Sequence, residues 1–176
     1  ITRNYLSTAS SVVEVGSNIG DYLKFIRPFS KSILGIDPAE NIAEKANNNG
    51  IKTIPKFFNP DTAKTILNNY GQADLILARH CFAHNSTPHK LLKGAKLLLS
   101  KSGNLVIENA YVLNTLENNE FDQIYHEHMF YYSIQSMQKA LYINGLKLKD
   151  IMISLIHGGS IVFVADNIEN NSKPSD

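Results

Sequence analysis

Short apolar runs alternate with longer amphipathic stretches along most of this 176-residue chain. The alternation is typical of a parallel sheet covered by helices, because a strand buried on both faces has a continuous apolar sequence. It predicts strands over residues 12–15, 32–36, 52–54, 73–78 and 104–108. Helices are predicted over residues 20–28, 38–47, 61–68, 87–100 and 133–144. The chain is therefore expected to be an α/β protein with helices on both faces of its sheet.

The last part of the chain departs from this alternation. Residues 146–154 and 160–165 are β-rich, and only residues 155–159 separate them. A parallel crossover needs about a dozen residues or more, so the two runs are expected to form an antiparallel hairpin. The sequence thus predicts a seven-stranded, mostly parallel sheet whose last strand runs against the others.

Length and composition indicate one domain, placed over residues 1–166, with a polar and disordered tail over 167–176. A formal net charge of +1 gives no strong field to attract nucleic acid, and no apolar run approaches the ~20 residues that span a bilayer. The expected ligand is a small molecule. Cys81 is the only cysteine, which fits a reducing compartment, so we expect a cytoplasmic protein. The sequence shows no activating partner for Cys81, so we expect a buried thiol rather than a nucleophile.

The first predicted strand runs into a turn with two glycines. The turn has Gly16 and Gly20 but lacks the middle glycine of the G-x-G-x-x-G pattern, and this absence favours a ligand without a pyrophosphate. Asp37 ends the second strand about twenty residues later, where its carboxylate could accept both ribose hydroxyls. S-adenosylmethionine fits this pattern, with Gly16 close to its methionine part and Glu14 near its ammonium group. The alternative is a tight strand-to-helix turn that binds nothing.

The densest group of titratable side chains lies over residues 121–128. It contains Tyr125, His126, Glu127 and His128. His126 and His128 could bind a metal from one side of a strand, but no third and fourth ligand is evident nearby, so no metal is predicted. The favoured interpretation is a site that moves protons.

Read in order, residues 14–18, 35–38, 107–108, 125–128 and 157–160 resemble the sugar C-methyltransferases. Those enzymes use S-adenosylmethionine to methylate a carbon next to the ketone of a nucleotide-linked 4-keto deoxysugar. The resemblance implies a Rossmann-like class I S-adenosylmethionine-dependent methyltransferase fold, whereas element order alone fits a dehydrogenase nearly as well. Family members usually carry an N-terminal zinc module and a second C-terminal domain. We therefore expect this chain to be the catalytic core of a longer protein.

The resemblance also implies roles for the residues of the cluster. His128 would remove the proton beside the ketone, while Tyr125 and Glu127 would orient the substrate and stabilise the enolate. This agrees with the chemistry, because a carbon without a lone pair needs a base and a donor for the developing oxyanion. Methylation of oxygen or nitrogen in a small metabolite is the alternative reaction. A cofactor-binding module that works with a partner, without activity of its own, is the third interpretation.

Most other candidates follow predicted strands at their carboxyl ends, where ligands gather in open sheets. The resemblance implies that Phe58 and Asn59 contact adenine; the alternative is that they fill the core and cap a helix. His80 and His84 are expected to line the pocket or cap a helix. The predicted cofactor-binding residues are Glu14, Gly16, Ser17, Asn18, Gly20, Asp37, Phe58, Asn59, Arg79 and His80. The predicted substrate contacts are Glu108, Asn109, His126 and His157, the last of which could instead belong only to a hairpin turn.

Overall fold

A computed structural model of the chain describes residues 2–154 and 159–169. The strands of this part are β1 (Ser11–Val15), β2 (Ser32–Ile36), β3 (Thr53–Ile54), β4 (Ala73–Arg79), β5 (Leu99–Ala110), β6 (Leu146–Ser154) and β7 (Ser160–Asn167). The α-helices are α1 (Thr2–Tyr5), α2 (Asp21–Ile26), α3 (Glu40–Asn48), α4 (Pro60–Tyr70), α5 (Pro88–Leu98), α6 (Val112–Glu117) and α7 (Ile134–Ile143). Within the described ranges, no helix has the length and apolar character needed to cross a membrane.

The strands form one sheet in the order β3-β2-β1-β4-β5-β7-β6. Strand β7 is antiparallel to both of its neighbours, β5 and β6, and all other pairs are parallel. The predicted sheet of seven mostly parallel strands with an antiparallel last strand is therefore confirmed.

Apolar side chains cover both faces of the sheet. On one face, Val13 of β1 belongs to a buried cluster with Leu91 of α5 and Met137 of α7. On the other face, Val12 belongs to a second cluster with Leu23 of α2. Successive residues of a strand point to opposite faces, so one short strand contributes to both clusters. The prediction of helices on both faces is confirmed.

Several element boundaries differ from the predicted ones for local reasons. Helix α3 begins at Glu40 rather than at residue 38, because Asp37 Oδ1 accepts a hydrogen bond from the N–H of Ala39 and holds residue 39 extended. Strand β5 begins at Leu99, directly after α5, and a register shift between Ala73 and Leu75 accommodates this earlier start. Helix α6 and the 3₁₀ turn Phe121–Gln123 had no counterpart in the prediction.

Strands β1, β2, β4 and β5 end at one edge of the sheet, as parallel strands must. Beyond β5 the chain leaves this edge at Tyr111 and returns at Tyr132, and these two residues form an isolated parallel bridge. Residues between them, the 112–131 segment, include α6 and carry the cluster of titratable side chains. The fold thus places that cluster at the carboxyl edge of the sheet.

Candidate active site

The turn after β1 brings the backbone close to the carboxyl edge. Gly16 has a φ of +69°, and a Cβ there would lie 2.7 Å from the Cβ of Cys81. The N–H groups of Gly16 and Ser17 both donate to the carbonyl oxygen of Ile36, at 2.8 and 3.1 Å. Asn18 also has a positive φ, of 50°. This conformation requires glycine at position 16 because a side chain would be strained and would collide with Cys81.

A cavity of about 770 Å³ opens beside this turn. Its volume suits a small-molecule ligand. Seven of the ten predicted cofactor residues line it: Gly16, Asn18, Asp37, Phe58, Asn59, Arg79 and His80.

Glu14, Ser17 and Gly20 do not line this cavity in the part of the chain described. Ser17 is buried, and its Oγ would lie 2.5 Å from a Cβ built on Gly35. A Cβ on Gly20, where φ is +84°, would meet Ile51 at 2.6 Å. Both residues therefore shape the turn, and their direct contact with the cofactor stays a prediction.

Asp37 sits half-buried at the end of β2. Its Oδ2 accepts from the N–H of Asn18 at 2.9 Å, and its Oδ1 accepts from the N–H of Ala39 at 3.0 Å. A carboxylate oxygen can accept more than one hydrogen bond, so each oxygen can also take a ligand hydroxyl. The carboxylate is thus held in place with acceptor capacity left over.

Glu14 acts on the cavity through Arg79. The Nε and Nη2 atoms of Arg79 donate to Oε1 of Glu14 at 3.0 and 2.8 Å, and the guanidinium lies 3.6 Å from the ring centroid of Tyr22. Oε2 of Glu14 is buried and has no hydrogen-bond partner among the described residues. Burial raises the pKa of Glu14 above its ordinary value, and the positive charge of Arg79 opposes that rise.

Asn59 and Phe58 follow β3. The Oδ1 of Asn59 accepts from the N–H groups of Asp61 and Thr62, both at 2.9 Å, so its side chain caps α4. Phe58 is 5% exposed and belongs to the core while also lining the cavity. The structural alternatives considered for both residues are thus present, and their contact with adenine stays a prediction.

A smaller cavity of about 200 Å³ adjoins the first, because His80 and His84 line both. The polar residues around the smaller cavity are His80, His84, Asn109, Gln123, Tyr125 and His128. The two cavities together form a continuous region along the carboxyl edge.

The hydrogen bonds of His128 define its tautomer. Its Nδ1 lies 2.8 Å from the carbonyl oxygen of Gln123, and since a carbonyl only accepts, Nδ1 carries the proton. In the neutral ring Nε2 then has the lone pair, and it accepts from the hydroxyl of Tyr125 at 3.1 Å. Tyr131 also donates to the Gln123 carbonyl, at 3.0 Å. These contacts fix the orientation of the imidazole and leave Nε2 as its basic nitrogen.

Two contacts fix the 112–131 segment to the residues that follow β4. The Nδ1 of His84 lies 2.8 Å from the carbonyl oxygen of Glu127, to which it donates, and the N–H of Met129 donates to the carbonyl of Ala83 at 3.1 Å. The rings of His84 and His128 lie 4.9 Å apart. This arrangement holds His128 in the smaller cavity, beside His84, which lines both cavities.

The other residues of the cluster face solvent. The side chains of His126 and Glu127 are 90% and 64% exposed, and Nε2 of His126 lies 3.9 Å from Oε1 of Glu127. Residues 125–128 form turns rather than the strand considered for a His-x-His metal site. Neither side chain lines a cavity among the described residues, so the roles predicted for them receive no support from position.

Glu108 and Asn109, at the end of β5, are buried at 4% and 2% exposure. Oε1 of Glu108 lies 3.8 Å from Nε2 of His80, whereas Asn109 lines the smaller cavity. His157 lies outside the described residues. Gln123 escaped the sequence analysis because it acts through its backbone carbonyl, for which side-chain chemistry gives no signal.

The chain matches the family described as a methyltransferase domain over residues 2–150. It is 38% identical over 165 residues to the C-methyltransferase NovU of Streptomyces niveus. That match covers 94% of this chain and 39% of NovU, so the chain spans about two-fifths of the relative's length.

Solved structures share the fold at low sequence identity. YcgJ from Bacillus subtilis has a TM-score of 0.69 at 13% identity, covering 96% of each chain. A methyltransferase from Anabaena variabilis has a TM-score of 0.70 at 14% identity, covering 94% of this chain and 80% of that one. The plantazolicin methyltransferase BpumL, solved with S-adenosylhomocysteine, has a TM-score of 0.67 at 16% identity, covering 90% and 77%.

The fold and the cavities at its carboxyl edge define a class I S-adenosylmethionine-dependent methyltransferase. The chain belongs to the methyltransferase domain family, and its cofactor is S-adenosylmethionine. The residues of the larger cavity fit this cofactor. Gly16 admits a ligand where a side chain could not fit, Asp37 has acceptor capacity for ribose hydroxyls, and Arg79 offers a positive charge to a carboxylate.

Proposed function

We propose that this chain methylates the carbon next to the ketone of a nucleotide-linked 4-keto deoxysugar. Methylation at carbon is supported by the 38% identity to a protein named as a C-methyltransferase. It is also supported by the site, because a base and a hydroxyl donor adjoin the cofactor cavity.

The tautomer of His128 carries this proposal. Gln123 holds a proton on Nδ1, so in the neutral ring Nε2 is the basic nitrogen, and its lone pair becomes available to a C–H acid in the smaller cavity once the Tyr125 hydroxyl turns away from it. A ketone acidifies that C–H bond, and a positioned imidazole is suited to remove its proton near neutral pH. Methylation of an oxygen or nitrogen nucleophile would need less of this arrangement.

Tyr125 takes part before the proton moves. A hydroxyl has one hydrogen, and Tyr125 directs it toward Nε2 of His128. Because Nε2 has a single lone pair, this hydrogen must turn away before the substrate proton can reach that nitrogen. Turned toward the substrate, it can bind the ketone oxygen and then the enolate oxygen as negative charge develops.

The larger cavity provides the methyl donor. Bound there, S-adenosylmethionine would supply a methyl group on a positively charged sulfur. Asp37, Asn18 and Arg79 would bind and orient it, and Gly16 would leave room for it beside the backbone. His80 and His84 line both cavities, where the cofactor and the acceptor would meet.

The described residues suggest no binding site for the nucleotide part of the substrate. NovU is about two and a half times as long as the matched segment. We therefore assign nucleotide binding to further domains of a longer protein, and sugar recognition to the smaller cavity. The predicted contacts of Glu108, Glu127, His126 and His157 with substrate belong to this proposal.

The test uses a thymidine diphosphate-linked 4-keto-6-deoxyhexose with S-adenosylmethionine. The product should gain one methyl group attached to carbon, identified by mass and by carbon–proton NMR correlation. His128→Ala should abolish transfer while calorimetry shows unchanged cofactor binding. His89→Ala is the matched control, since this imidazole contacts Asn144 and lines neither cavity among the described residues.

Two results would contradict the proposal. Methyl transfer retained in His128→Ala would show that His128 is not the base. A methyl group found on oxygen or nitrogen would favour the alternative reaction.

A further inference from the structure

The described part of the chain has three buried asparagines, Asn104, Asn109 and Asn144, and Asn109 differs from the other two in its hydrogen bonding. Asn104 accepts from Lys149 at 3.0 Å, and Asn144 donates to the carbonyl of Ala140 at 2.7 Å. Asn109 is 2% exposed, yet neither its Nδ2 nor its Oδ1 has a hydrogen-bond partner among the described residues. A buried amide without partners is costly to keep, so its position calls for an explanation.

Asn109 lines the smaller cavity together with His128 and Tyr125. The two unsatisfied atoms thus belong to a residue that borders the proposed site of proton removal. A carboxamide presents a donor and an acceptor side by side in one plane. Its complement is a ligand that presents an acceptor and a donor with the same spacing.

Tyr125 is not a fixed donor to the substrate. Its only hydroxyl hydrogen is directed to Nε2 of His128, so it must turn before it can bind the ketone oxygen. The Asn109 amide N–H has no such engagement. It can polarise the ketone from the beginning, which is when a fixed donor contributes most to forming an oxyanion.

We infer that the Asn109 carboxamide selects an α-hydroxyketone, with Nδ2 donating to the ketone oxygen and Oδ1 accepting from the hydroxyl on the neighbouring carbon. The proton leaves the carbon on the other side of the ketone and moves to Nε2 of His128. The C–H electron pair becomes the enolate, whose oxygen stays bound to Nδ2. This inference rests on the proposed function and names the functional group of the methyl acceptor that the site recognises.

The test measures proton exchange rather than methyl transfer. Hydroxyacetone carries a methyl group, a ketone and a hydroxyl in the required order, and methoxyacetone has the same order without the hydroxyl hydrogen. We would incubate each with the chain in D₂O, without cofactor, and follow deuterium entry into the methyl group next to the ketone by NMR. The wild type should exchange hydroxyacetone at least tenfold faster than methoxyacetone, because a site built around a hydroxyl rejects analogues lacking it.

Asn109→Leu keeps the approximate size and removes both polar atoms. It should slow hydroxyacetone exchange at least tenfold and bring the two rates within twofold of each other. Asn104→Leu, on the same strand, is the matched control and should keep the wild-type preference. If Asn109→Leu fails to bind S-adenosylmethionine in calorimetry, Asn109→Asp decides, since it keeps the shape but lacks the donor at neutral pH.

The inference is overturned if the wild type shows no preference for hydroxyacetone, or if the folded Asn109 variant keeps that preference. Exchange as fast in His128→Ala as in the wild type overturns it as well. A wild type that shows the preference but never methylates a nucleotide-linked keto sugar would reject the proposed substrate and leave the role of Asn109 standing.

Discussion

The imidazole of His84 and the backbone carbonyl of Glu127 are joined by a hydrogen bond of 2.8 Å, across 43 positions of sequence. This bond ties the residues after β4 to the turn that carries His128. Because His84 lines both cavities, one side chain links the cofactor region to the position of the base.

We expect His84→Phe, which keeps a ring but removes the hydrogen bond, to lower the transfer rate roughly 10- to 100-fold, since small displacements of a catalytic group are costly. The amide of Met129, which donates to Ala83, should exchange with D₂O faster in the variant. Unchanged exchange with a reduced rate would mean that His84 acts on the substrate directly rather than by holding the segment.

Tyr125→Phe removes the hydroxyl that faces Nε2 of His128. We expect transfer to fall by about 10²-fold, the usual effect of losing one oxyanion donor, with cofactor affinity unchanged. Tyr131→Phe is the control, because its hydroxyl reaches only the Gln123 carbonyl, and it should cost less than about fivefold. Equal losses in steady-state kinetics would argue against the role of Tyr125.

Gly16→Ala should weaken S-adenosylmethionine binding at least tenfold in calorimetry, because the new Cβ would meet Cys81 at 2.7 Å. Gly50→Ala is a matched control, since Gly50 has a φ of +74° but nothing within 4 Å of a Cβ. Both variants should lose about 1–2 kcal/mol of stability from the left-handed backbone. Only the first should lose cofactor affinity, and equal affinities would show that the contact with Cys81 does not matter.

Arg79→Met should destabilise the protein by roughly 1–3 kcal/mol, because it leaves the buried carboxylate of Glu14 without a partner. Burial already raises the pKa of Glu14 in the folded protein. The stability contributed by its protonated form is therefore complete below the pKa of Glu14 in the unfolded chain, and it is lost as the pH rises through the pKa in the folded protein. Without Arg79 that loss should deepen, making the variant relatively weaker at pH 8 than at pH 5 in urea unfolding. Arg27→Met, whose guanidinium bonds the carbonyl of Gly50, should show no such dependence.

Cys81 should resist alkylation. Its thiol donates to the carbonyl of Val15 at 3.1 Å, and burial raises its pKa to about 12. Little thiolate then exists at pH 8, so iodoacetamide should react at least about a hundredfold more slowly than with a free thiol. Cys81 is half-buried at the edge of the larger cavity rather than buried as predicted, so its slow reaction would come from the raised pKa. Mass spectrometry of the native protein would measure the labelling, and rapid labelling would contradict the raised pKa of the thiol.

The sheet and the turn at Gly16 were predictable because their signals are local. Apolar runs mark buried strands, and a glycine followed about twenty residues later by Asp37 marks the carboxyl edge of two of them. The 112–131 segment was not predictable in the same way. Phe121 and Ile124 are 82% and 67% exposed, so its apolar residues follow no buried periodicity.

Long-range pairing also limited what could be predicted about the site. The tautomer of His128 depends on a backbone carbonyl at Gln123, and the position of its turn depends on His84. Glu14 could be placed near the ligand from its strand, but its engagement by Arg79, 65 positions later, could not be foreseen. Such contacts arise only when the sheet brings distant segments together.

The bridge between Tyr111 and Tyr132 sets the two ends of the 112–131 segment beside each other. The segment therefore leaves and rejoins the fold at neighbouring positions, so we expect its replacement to leave the flanking strand and helix in place. Exchanging it between relatives as a cassette could change acceptor preference while the methyl-donor half of the protein stays intact.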